Sequence, residues 1–223
     1  MNRSLSILGA AASTLIASSV FAAHPQAAAA PSNTAAFKAT ETLVTAAEPD
    51  TGLSTLYSNF SKDAAAVYDC CTGWSVAGPA VFDGVAYDIG MPFTPRFDGI
   101  AKRIKLAAGY TYGPDIAVVS LRADENGLPG AVLKKFDISD IPQFGLCCER
   151  VSGDLGKGVL LSAGTQYWVV MSTKKKTPDA DIAWNATVTA SPTPIAYARD
   201  GVWFPDVGRA SAFKVLGVRA ESN

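Results

Sequence analysis

From residue 53 onward the chain is a succession of short apolar segments that alternate with polar positions and are broken by Gly and Pro, and no long stretch keeps a helical period. The period of two predicts strands over 55–60, 67–76, 86–94, 100–107, 115–122, 131–138, 158–162, 166–173, 181–188, 195–199 and 212–218. Gly113-Pro114, Asn126-Gly127 and Asp200-Gly201 are turn pairs between such segments. The pattern predicts an all-β fold, a β-sandwich or jelly roll of mostly antiparallel strands, rather than a parallel α/β sheet. Tyr167, Val169 and Met171 alternate with Trp168 and Val170, so both faces of that strand are apolar and it is expected at the centre of a sheet. Ile100 to Ala107 places charge on both faces through Lys102, Arg103 and Lys105, which predicts a strand near an edge.

The first residues follow a different rule. Met1-Asn2-Arg3 precedes an apolar, small-residue run from Leu5 to Phe21 that closes on Ala22 and Ala23, with Val20 and Ala22 at the small-residue cleavage positions of a secretory signal. Ser4, Ser6, Ser13, Thr14, Ser18 and Ser19 interrupt the run, leaving it short of the roughly 20 apolar residues a membrane span needs. We therefore expect a cleaved signal at 1–22, a flexible Ala/Pro/Thr-rich linker at 23–52 and the β-sandwich domain at 53–220. The location this predicts is secreted or periplasmic, with no membrane span in the mature chain.

Composition sharpens the picture. At 223 residues and 48% hydrophobic the chain has ample material for a core, and 19 basic against 20 acidic side chains give a net charge of -1. That balance provides no basic field for DNA or RNA, so no nucleic-acid partner is expected. The four cysteines form two vicinal pairs, Cys70-Cys71 and Cys147-Cys148. In an oxidising compartment they read as disulfides. A bridge between neighbours strains the peptide, so two crossing bridges are expected, closing a loop of about 77 residues worth on the order of 4 kcal/mol. Antiparallel segments would pair Cys70 with Cys148 and Cys71 with Cys147. A four-thiolate zinc site is the alternative, although vicinal cysteines suit one ion poorly.

Candidate chemistry is narrowed by a single histidine, His24, which falls in the expected linker. Without a histidine in the domain, Ser-His-Asp and Cys-His arrangements and multi-histidine metal sites fail, and no catalytic residue is assigned. Carboxylate pairs survive as the basis of a glycosidase, since Asp83, Asp88, Asp98, Asp115, Asp179, Asp181, Asp200 and Asp206 offer many combinations. Asp124 and Asn126, in Asp124-Glu125-Asn126-Gly127, are a weak candidate for calcium; capping of a turn explains them as well. No other cofactor is expected. Lys174-Lys175-Lys176 reads as a solvated hairpin tip. Trp203, with Asp206 close by, and Tyr110 and Tyr112, between Gly109 and Gly113, read as loop residues and are the candidate ligand-binding aromatics; Trp168 is expected to be buried.

The stretch Phe93-Thr94-Pro95, then Ile104, Leu106, Val118, Ser120, Leu121, Asp124, Gly127, Pro129-Gly130 and Leu133, resembles the bacterial exported domains called choice-of-anchor R. Gly73-Trp74-Ser75-Val76-Ala77-Gly78-Pro79 upstream and Leu161 to Val170 downstream extend the resemblance over roughly 54 to 218. The resemblance implies a β-sandwich of surface and exported proteins and brings no catalytic residue with it. The functional expectation is an exported noncatalytic module binding glycan or another cell-surface ligand. A structural or adhesion-type envelope or matrix protein, for which an exposed edge at 158–162 would be the sign, is the first alternative. A carboxylate-dependent glycoside hydrolase is the second.

Overall fold

The computed structural model describes residues 50–146 and 150–220. The expected signal, most of the linker, and Cys147 and Cys148 lie outside the described residues. Within them the chain forms thirteen strands and no helix. A four-stranded sheet runs in the order β1 (Ser54–Ser58), β13 (Phe213–Arg219), β4 (Gly99–Leu106) and β8 (Val151–Leu161). A nine-stranded sheet runs β5 (Ala108–Tyr112), β10 (Asp181–Asn185), β2 (Gly73–Phe82), β3 (Val85–Phe93), β9 (Tyr167–Ser172), β6 (Ala117–Glu125) and β7 (Leu128–Ile138). To it β3 also joins β11 (Pro192–Arg199), which carries β12 (Val202–Arg209). Neighbouring strands pair antiparallel.

Leu56, Ile104, Leu106, Leu155 and Phe213 of the small sheet meet Val76, Met91, Phe93, Leu121, Met171 and Trp184 of the large one in a single core. Each such fully buried side chain contributes about 1.5–3 kcal/mol. Two sheets closed on a shared apolar interior make this a β-sandwich; the strand order does not by itself identify a jelly roll.

Turn chemistry sets the registers. Asp83-Gly84, Asn126-Gly127 and Asp200-Gly201 all have positive φ and make the two-residue turns of the β2–β3, β6–β7 and β11–β12 hairpins. β9 has the central place that its two apolar faces predicted, between β3 and β6. Its inward face enters the main core, while Trp168 and Val170 on the other face form a second cluster with Ala196 of β11.

Four expectations are corrected. β4 is an interior strand, because Arg103 and Lys105 are held by Asp50 and Asp154 on the sheet's outer face and a register shift between Ala101 and Arg103 resets the alternation. β5 and β12 are strands where loops were expected. β12 tolerates Pro205 because it pairs only with β11 and so is an edge strand, where a missing N–H costs no ladder bond. Finally, the Sγ atoms of Cys70 and Cys71 lie 3.4 Å apart, beyond the roughly 2.05 Å of a disulfide, and both thiols are free. The expected crossed bridges therefore have no support on the side of the pair that is described.

Candidate functional site

The aromatic residues singled out in the sequence are not assembled into one face. Tyr110 and Tyr112 lie on β5, at one end of the large sheet, whereas Trp203 and Asp206 lie on β12 beyond β11. Tyr110 packs against the main core and exchanges backbone hydrogen bonds with Pro142 and Phe144, while Tyr112 is 65% exposed. Trp203 is half-buried, not a free ring: it covers the outer cluster of Trp168, Val170 and Ala196, with the Arg122 guanidinium 5.6 Å from its ring centroid. Gly90 makes room for this packing, since a Cβ there would lie 3.3 Å from both the Trp168 and the Trp203 rings. Asp206 accepts its neighbour's N–H, from Val207, at 2.7 Å.

The Asp124 carboxylate is committed to the fold. One oxygen accepts Gln166 Nε2–H at 2.6 Å and Trp168 Nε1–H at 2.7 Å, and the other accepts Gly127 N–H at 3.1 Å. Burial raises its pKa, but these three donors outweigh burial and leave it below the usual carboxylate value. Asn126 supplies the left-handed turn position, φ 56°. Among the described residues no group of three or more His, Cys, Asp or Glu side chains is placed to hold a metal ion.

Other carboxylates are likewise occupied. Asp181 accepts from the hydroxyls of Ser75 and Thr111, Asp98 from Ala163 N–H and Asp200 from Ala86 N–H. Asp88 differs: burial pushes its pKa up, against the opposing effects of a Ser172 hydrogen bond and the Arg122 charge.

A cleft of about 520 Å³ opens where the ends of β1 and β3 meet the β10–β11 and β12–β13 connections. Its size falls in the range of small-ligand sites. Met91, Phe93 and Phe213, all buried, form the floor, and Tyr57 stands beside them with ring centroids 5.4 Å from Phe93 and 5.0 Å from Phe213. The walls are neutral and polar: Asn59, Thr94, Gln166, Thr187, Thr189, Ser191 and Thr193, with no charged side chain.

No family model, curated protein or solved structure matches this chain. What the cleft could hold is therefore read from its own chemistry.

Asn59 is braced, donating to Ser211 O at 2.8 Å and accepting Phe213 N–H at 2.7 Å, so it fixes the wall as much as it lines it. Burial raises the Tyr57 pKa and the nearby Arg96 charge opposes that shift; the net rise keeps the phenol protonated and able to donate. Thr94, Thr189 and Ser191 are exposed at the rim. Apolar floor and hydroxyl walls suit a polar, uncharged ligand held by hydrogen bonds over an aromatic base. The cleft contains no carboxylate. A readable trace of the site existed in the hydroxyl at every second position of Thr187, Thr189, Ser191 and Thr193, and sequence reasoning passed over it.

Proposed function

We propose that this chain is an exported, noncatalytic β-sandwich module that holds a neutral, hydroxyl-rich ligand, a segment of glycan, in the cleft over Met91, Phe93 and Phe213. The observation that carries the reading is the cleft's lining: Tyr57 and hydroxyl and amide groups around an apolar floor, without a charged side chain. The signal-like pattern of residues 1–22 supports export, and the resemblance to choice-of-anchor R domains supports a surface or extracellular role. Binding by hydrogen bonds and ring contact needs no metal, so chelation leaves it unchanged.

The test is retention of the purified protein on insoluble neutral polysaccharides and envelope preparations, with calcium and with EDTA, for the wild type and for Thr189→Arg, which fills the rim with a long cation. Retention by wild type and its loss in the variant is the expected result. Equal retention of both proteins, or of neither, refutes the reading.

A structural or adhesion role has one observation in its favour. β12 is an edge strand that exposes Val202 and Val207, and β8, the outer strand of the small sheet, exposes Leu160. Concentration-dependent self-association in sedimentation, abolished by Val207→Lys, would replace the ligand-binding reading with this one.

A further inference from the structure

A second cleft, of about 660 Å³, lies on the other side of β1, bounded by Thr55, Ser58, the 60–67 segment, Arg96, Arg150 and Lys214. It gathers four cations, Lys62, Arg96, Arg150 and Lys214, around one carboxylate, Asp63. In a chain of net charge -1 that is a pronounced local excess of positive charge.

The carboxylate does not neutralise it. Asp63 accepts the N–H of Ala65 at 2.9 Å and so holds its own turn. The ion pairs found among the described residues engage Arg103, Lys105, Lys174 and Arg209 and none of the four cleft cations. Arg150 is steered by the Phe60 ring, 5.8 Å from its guanidinium carbon, an interaction that orients the cation and leaves its charge intact.

Register makes the excess sharper. Lys214 stands directly opposite Lys105 in the β13–β4 ladder, a like-charge pair that destabilises a sheet. Asp50 takes Lys105 at 2.6 Å and Arg103 at 3.4 Å, which settles that side of the pair and leaves Lys214 facing the cleft. Two hydroxyls complete the surface. Ser58 accepts Phe60 N–H and Ser61 accepts Asp63 N–H, so each retains its O–H to donate.

We propose that this cleft is a binding site for a phosphate or sulfate ester, with Arg96 and Arg150 as the principal ligands, Lys62 and Lys214 as supporting charges and Ser58 and Ser61 as neutral donors. Guanidinium forks match a tetrahedral oxyanion, and the three terminal oxygens of a phosphate or sulfate monoester can accept from more of these donors than the two of a carboxylate. The site does not depend on the neutral cleft or on its ligand.

The experiment is calorimetric titration of the purified protein with inorganic phosphate, inorganic sulfate and dextran sulfate, with neutral dextran as the blank. Wild type is expected to bind at least one of the three anions saturably, more weakly as salt rises. Arg96→Gln with Arg150→Gln is expected to lower that affinity about tenfold or more. Lys175→Gln with Lys176→Gln, at exposed positions outside the cleft, is expected to leave it within about twofold. Saturation by the free ions identifies a small oxyanion as the ligand, and binding of dextran sulfate alone identifies a polymer-borne ester; both support the site. No saturable binding, or an equal loss in the control variant, overturns it. Should the double arginine variant fail to fold by circular dichroism, Lys62→Gln with Lys214→Gln reads the same site by the same criterion.

Discussion

The carboxylate of Asp124 accepts the indole N–H of Trp168 at 2.7 Å, joining the β6–β7 turn to β9, a strand with both faces covered. Trp168 is 1% exposed, so its N–H has no water to turn to if that acceptor is removed. A buried donor left unsatisfied costs about 1–3 kcal/mol, and the bonds to Gln166 and Gly127 would go with it. Asp124→Ala is expected to destabilise the fold by about 2–4 kcal/mol in urea unfolding. Asp124→Asn, which keeps one acceptor oxygen, is expected to cost less. Because the folded pKa of Asp124 is depressed, its contribution is present above the unfolded carboxylate value and disappears as pH falls through the folded one.

Asp88 has the opposite sign. Burial raises its pKa, so the folded state binds its proton more tightly than the unfolded chain does. Stability is therefore lost as pH rises from the unfolded carboxylate value to the raised folded one, and is constant above it. Asp88→Asn keeps a hydrogen-bonding group of the same shape and removes this loss. Thermal melts from pH 3 to 8 should show the variant gaining relative to wild type as pH rises; parallel curves would show that Asp88 is ordinarily solvated.

Trp203→Ala separates two roles for one ring. The ring covers Trp168, Val170 and Ala196, so truncation leaves a cavity and is expected to cost about 2–4 kcal/mol. Retention on polysaccharide, measured below the variant's melting range, is expected to match that of wild type. A loss of retention without a loss of stability would return Trp203 to the ligand site.

Trp203 also shows how much was legible. The period of two gave the all-β sandwich, the buried Trp168 and the central place of β9, because those features depend on local alternation. It failed at β5 and β12, where Gly109, Pro205 and Asp206 carry turn chemistry into strands that the ladder itself stabilises. Residues placed in supposed loops became the candidate site, and the structure put them on paired strands instead. β4 was misplaced because Arg103 and Lys105 read as solvent-facing, whereas Asp50 and Asp154 neutralise them on an interior strand. The clefts were out of reach for a different reason. Tyr57, Phe93 and Phe213, or Lys62, Arg96, Arg150 and Lys214, come together only through pairings distant in sequence, and no local pattern announces such a meeting.

The measurement that bears most directly on the neutral cleft as a ligand site is a depletion isotherm on an insoluble neutral polysaccharide for wild type, Tyr57→Phe and Thr189→Arg. Tyr57→Phe removes one hydroxyl and leaves the ring on Phe93 and Phe213, so the affinity should fall about fivefold to tenfold with little change in melting temperature. Thr189→Arg should abolish retention. Isotherms that coincide for all three proteins would contradict the account, because they would place any binding somewhere other than this cleft.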